Sequence, residues 1–232
     1  LDRGGMSSFV CEMVNRGAGE RDNRQLVLDL DNLGVERGES ILDAHTAYSG
    51  VTVADNLPPA LAIYADILRR PHLPEDDLEI VRQIMLQEIQ GVEDEPSQKL
   101  LVELRRRCFP SPWGRPGHGD LAGVEATTID DIRAFVRRHY HARGTILGVA
   151  GRFEWEELKA AVGELFGDWP SGRPDEPPEK TPQPARDHVA HDAQQTHIGI
   201  SYPSVPYRDD AYFESWGAVG VLSGGMSARL FT

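Results

Sequence analysis

Residues 5–13, Gly-Met-Ser-Ser-Phe-Val-Cys-Glu-Met, come nearest in type and spacing to a reaction centre. The stretch predicts about a turn and a half of helix, on which positions i, i+3 and i+4 share a face. Ser8, Cys11 and Glu12 have that spacing. Two ligands at i and i+4, a general base at i+3 and a distant third ligand make an arrangement suited to zinc-assisted hydrolysis. Here the spacing is present and the residue types are not. A hydroxyl, a thiol and a carboxylate stand where two imidazoles and a glutamate would be needed. A neutral hydroxyl is a poor zinc ligand, although Cys11 is a competent one in principle. Cys11 and Glu12 are neighbours about 100° apart around the helix, so both do not easily reach one ion. The alternative is an ordinary packed helix in which Cys11 is a small buried hydrophobe.

The elements that would position these residues follow from the patterning. Residues 22–34 carry leucines at 26, 30 and 33 and end in Gly34, which predicts an amphipathic helix with a glycine stop. Residues 40–54 are rich in Val, Thr and Tyr and predict two short strands or one bent one. Residues 57–70 predict a helix with Pro58 near its start and Pro71 at its end. Residues 74–90 predict a longer helix opening on Glu75, Asp76 and Asp77, with Glu88 near its end. A further helix is expected over 96–107. Residues 109–123, with three prolines and four glycines, predict a surface loop. Thr127 and Thr128 precede a helix expected to reach Tyr140, where His139 and His141 suit the negative end of the helix dipole. A buried strand over 145–150 and a helix over 155–166 complete this part. After a proline-rich linker, 170–187, the pattern resumes with a strand over 196–202 and a helix over 211–222.

Composition narrows the function classes. At 232 residues the chain holds one large or two modest domains. A net charge of −13 argues against nucleic-acid binding, which needs a basic face. The two cysteines, Cys11 and Cys108, fit neither a disulfide framework nor a C-x-x-C metal site. No apolar run is long enough to span a bilayer. No secretory apolar segment is present, and the sequence assigns no compartment. The chain starts at Leu1 without a methionine, and a piece of a longer polypeptide is expected.

Several stretches together, in order and spacing, resemble the pitrilysin/insulinase family of zinc metallopeptidases, which includes mitochondrial processing peptidase. They are residues 5–13, Leu42-Asp43-Ala44-His45-Thr46, residues 82–89 ending in Leu86-Gln87-Glu88-Ile89, His139-Tyr140, Val149-Ala150-Gly151, Leu165-Phe166-Gly167-Asp168 and residues 224–231. The family carries an inverted H-x-x-E-H motif on a helix. The resemblance puts Ser8 and Glu12 at two ligand positions, Cys11 at the general-base position and Glu88 at the third ligand. Val81 stands where the family has an outer-shell glutamate. The implied fold is α+β: tandem α/β sandwich domains, each a mixed sheet with helices on one side. Residues 1–169 would be the first, lacking its first strands; 170–187 the linker; and 188–232 the start of an incomplete second. The family's extended peptide adds to an edge strand, which implies substrate contact at Asp43, Ala44, His45 and Thr46 by main-chain hydrogen bonds. The alternative for this strand is an ordinary protected edge.

The resemblance thus implies a non-catalytic homologue or subunit, with no cofactor of its own although zinc serves the family. Its expected partners are a zinc-bearing homologous subunit, closing with it like a clamshell, and extended peptides. Two alternatives stand beside it: an active zinc endopeptidase with unusual ligands, and a structural core subunit of a larger assembly.

Overall fold

Met6 to Val14 form α1, and all but two of its nine residues are buried. A helix apolar on nearly every side has to lie inside the molecule. In the computed structural model, which describes residues 4–172, 184, 186–191 and 194–231, α1 lies against three other elements. These are α4 (Leu78–Asp94), α7 (Ile129–His139) and the strand β3 (Glu36–Ile41). Phe9, Val10, Met13 and Val14 are fully enclosed. At about 1.5–3 kcal/mol for each large apolar side chain buried, the enclosed residues of this helix contribute a large share of core stability.

The remaining helices amount to one buried stripe each. α2 (Asn23–Asn32) is capped by Asp22, whose carboxylate accepts from the Gln25 amide at 2.7 Å, and it buries Leu26 and Leu30. α3 (Leu57–Arg69) opens on prolines and buries Ile63 and Ile67. α4 turns Val81 and Met85 inward. α7 starts from a capping box in which Thr128 and Asp131 satisfy each other's amides, and it buries Ile132. α5 (Pro96–Cys108), α8 (Trp155–Phe166) and α9 (Tyr212–Ser223) lie further out.

Among the described residues the strands form two antiparallel pairs. The short β1 (Gly17–Ala18) pairs with β2 (Arg21–Asp22). Asp66 of α3, almost wholly buried, accepts from Arg21 at 2.9 Å and from Arg70, so its charge is compensated where that hairpin meets the helix. β3 pairs with β4 (Thr46–Val51) over six positions, from Glu36 opposite Val51 to Ile41 opposite Thr46. The fold class is α+β.

Several sequence expectations change here. Residues 145–150 are not a buried strand: they make no ladder, and Ile146 is 93% exposed. Residues 196–202 are likewise extended and unpaired, with Ile198 79% exposed. An apolar segment read as a strand needs a neighbouring strand to pair with, and among the described residues none lies beside either segment. The expected loop over 109–123 ends early, because Asp120 accepts from the Gly123 amide and starts a short helix, α6 (Leu121–Ala126). The strand expected from 40 begins four residues earlier, at Glu36. α4 runs past 90 to Asp94, which puts Glu88 in its body. The 170–187 linker falls largely on residues 173–183 and 185, outside the described ones. No helix among the described residues is long and apolar enough to cross a membrane.

Candidate functional site

α1 and α4 bring the sequence-predicted residues to one region. Arg82 of α4 fixes the frame. Its guanidinium donates to the carbonyls of Val124, Glu125 and Thr127 and lies 5.8 Å from the centre of the Phe9 ring. One side chain thus ties α4 to the end of α6, the start of α7 and α1. Val81, where the resemblance led one to expect an outer-shell glutamate, is fully buried and packs as core.

The three side chains on the α1 face have separate fates. Ser8 is 6% exposed, and its hydroxyl donates to the Gly117 carbonyl at 2.7 Å. Cys11 is 4% exposed, and burial pushes its thiol up to about 11. A hydrogen bond with Tyr48 opposes that rise, while the charges of Glu39 and Glu12 add to it. The Tyr48 hydroxyl in turn lies 2.6 Å from that of Tyr140. A buried polar chain therefore runs from Cys11 on α1 through β4 to the end of α7. Glu12 is half-exposed, with Arg16 at 3.9 Å.

Glu88 closes the region from α4. Burial raises its carboxyl above the usual range, and the charge of Glu12 raises it further. Glu88 also lines a cavity of about 390 Å³ with Gly91, Val92, Glu95, Gln98 and His118. Of the four positions the resemblance pointed to, the region thus keeps one hydroxyl and two carboxylates, with the thiol held against Tyr48. Among the described residues, no three His, Cys, Asp or Glu side chains group as metal ligands would.

Asp43, Ala44 and His45 were expected on an edge strand, and the structure places them in the turn joining β3 to β4. The Leu42 amide donates to the His45 carbonyl at 2.9 Å across it. Only Thr46 is in a strand, as the first residue of β4. Asp readily bonds its own local backbone, which favours a turn. Asp43 is paired with Arg105 of α5, which also donates to the Trp113 carbonyl at 3.0 Å. His141, expected to suit the dipole at a helix end, lies beyond the last residue of α7 and is buried.

Sequence reasoning missed Tyr48, Tyr140 and His118 as parts of this region. The stretch 114–119 was read as a surface loop, yet Gly114 and Gly119 are buried and His118 faces the cavity. Its glycine density was the available signal, since glycines mark close backbone approach.

The geometry can be set beside known proteins. The family model described as insulinase (peptidase family M16) matches residues 2–112. The model described as the peptidase M16 inactive domain matches residues 126–232. An uncharacterized zinc protease of Rickettsia bellii is 25% identical over 98% of this chain and 56% of its own length. Another, from Mycobacterium leprae, is 28% identical over 98% of this chain and 53% of its own. The chain therefore spans a little over half the length of the curated relatives it matches. The crystal structure of a peptidase M16 inactive domain from Pseudomonas fluorescens superposes with a TM-score of 0.81 at 20% identity, over 99% of this chain and 57% of that one.

Proposed function

We propose that this chain, which belongs to the insulinase family of M16 zinc peptidases, is a non-catalytic member that supports an extended peptide beside a zinc-bearing homologous partner. The carrying observation is Cys11. Hydrolysis needs an ion that lowers the pKa of water to about 7, an open coordination position and a base within reach. At the base position stands a buried thiol raised to about 11, which keeps its proton at neutral pH. Ser8, at a ligand position, donates its proton to a carbonyl. Glu12 and Glu88 remain, and two carboxylates suit a weakly held hard cation better than zinc. The residues present do not fit the family's metal.

Peptide support survives such losses because strand addition uses main-chain amides. Among the described residues β4 pairs only with β3, and the reading takes its other edge, starting at Thr46, for the added strand. The structural relative named as an inactive domain supports the reading. The relatives named zinc proteases favour the alternative, an active enzyme with unusual ligands.

Elemental analysis separates the two. Protein stripped of metal and re-exposed to zinc should hold well below one equivalent. The triple change Ser8→His, Cys11→Glu, Glu12→His should raise uptake. Stoichiometric zinc on the unmodified chain, with peptide cleavage abolished by Glu88→Gln, overturns the reading. Hydrogen exchange tests the peptide half: protection over residues 43–51 on adding an unfolded peptide is expected. Unchanged exchange at saturating peptide leaves a structural subunit.

A further inference from the structure

The hydrogen bond from Ser8 joins residues 109 apart in sequence and pins the loop carrying His118 to α1. The pinning acts on both sides of that histidine. Before it, the Gly117 carbonyl is held by the Ser8 hydroxyl at 2.7 Å. After it, Gly119 packs backbone to backbone on Gly4 and Gly5. A Cβ on Gly119 would lie 2.7 Å from the Gly4 carbonyl oxygen, and its φ of +83° is one that side chains disfavour. Gly5 meets the same loop: its own φ is +82°, and a Cβ there would lie 2.8 Å from the His118 carbonyl oxygen. A loop clamped at two successive places fixes the direction of the one side chain between them. That side chain lines the cavity shared with Glu88, Glu95 and Gln98.

We propose that His118 is a peptide-contacting residue of this cavity and that Ser8 is the residue that positions it. The proposal rests on the peptide-binding reading above and names a contact for it. Burial holds the His118 imidazole below its ordinary value, against a smaller opposing effect of Glu93. A neutral imidazole offers one N–H donor and one nitrogen acceptor. A peptide group offers the matching carbonyl and N–H. Glu88 and Glu95, when ionised, can only accept, so the donors that a peptide carbonyl requires come from His118, whose direction the loop fixes, and from the Gln98 amide. Ser8 then acts as a loop anchor: a short hydroxyl reaches the Gly117 carbonyl, and an imidazole in its place would displace the loop.

The test uses the chain as it stands, labelled in its histidines and titrated with reduced, carboxymethylated lactalbumin as an unfolded probe. Binding should shift the His118 ring signal, identified by its loss in His118→Ala. That variant should weaken binding about three- to tenfold, the range of one neutral hydrogen bond. Ser8→Ala should weaken it similarly and speed amide exchange at residues 117–119, and Ser8→Thr should restore both. His118→Gln, which keeps a donor and an acceptor, should fall between. If the unmodified chain binds while the His118 signal stays still and His118→Ala binds equally well, the contact is overturned and the peptide-binding reading stands. Binding and loop exchange unchanged by Ser8→Ala remove the positioning role. Failure of the unmodified chain to bind removes both readings.

Discussion

Cys11 and Glu88 are both titratable groups held away from their ordinary behaviour, and each makes stability depend on pH. Burial is the main cause of the raised Cys11 thiol, from 9.0 to about 11. A group raised on folding contributes stability that is fully present below its unfolded value. That stability is lost as pH rises through the folded value. The unmodified chain should therefore lose about 2–3 kcal/mol relative to Cys11→Val between pH 9 and pH 11, a two-unit shift at 1.36 kcal/mol per unit. Denaturant titrations of both proteins across that window check it, and parallel curves contradict it. Glu88 follows the same sign at lower pH. Its carboxyl is raised, so its contribution is present below the usual glutamate value of 4.5 and lost above the folded one. Glu88→Gln should raise the melting temperature at pH 7, and the gain should shrink toward pH 4. A variant less stable at pH 7 would show that Glu88 makes a favourable contact outweighing its burial.

At the scale of elements, one arginine does most of the joining around the site. Arg82 reaches three carbonyls, with 3.0 Å to that of Glu125 and 2.9 Å to that of Thr127. A guanidinium spreads its N–H groups in a plane, which a lysine ammonium cannot copy. Arg82→Met should cost about 2–3 kcal/mol, because hydrogen bonds from a charged group are lost and carbonyls are left without it. Arg82→Lys should recover less than half of that. Urea unfolding measures the loss, and equal stability for the lysine variant would show that charge, not the planar fork, is what matters. The hairpin of β3 and β4 is held differently, by Tyr48 reaching into the core region and by Asp43 on Arg105 at its tip. All residues of β3 except Gly38 are exposed.

The whole molecule is unevenly covered. α1 is enclosed, while Ile146, Ile198, Ile200 and Trp216 stand largely in water. Exposed apolar groups in extended, unpaired segments attract other apolar surfaces. Amides over 145–150 and 196–202 should exchange within seconds, and those of α1 should exchange only through near-global opening. The isolated chain should also bind a hydrophobic dye, and Ile146→Lys should reduce that binding without lowering the unfolding midpoint. Slow exchange over both segments would mean that they are paired in solution.

Apart from the short α6, the helices were legible in the sequence because a helix is a local object. Leu26 with Leu30, Pro58 at the start of α3 and Thr128 before α7 act within a turn of the residues they order, and each marked its helix. The spacing of Ser8, Cys11 and Glu12 and the order of the quoted stretches were enough for the family. Strand pairing and side-chain partners were not legible, since both join residues distant in sequence. The sequence placed Asp43 to His45 on a strand, and the pairing of Ile41 with Thr46 made them a turn. It gave Ser8 and Cys11 no partners, and tertiary packing supplied Gly117 and Tyr48. The apolar run over 145–150 read as a buried strand and called for a neighbour, but only the folded chain decides whether one is there, because a ladder bond needs a second backbone and no single segment contains it.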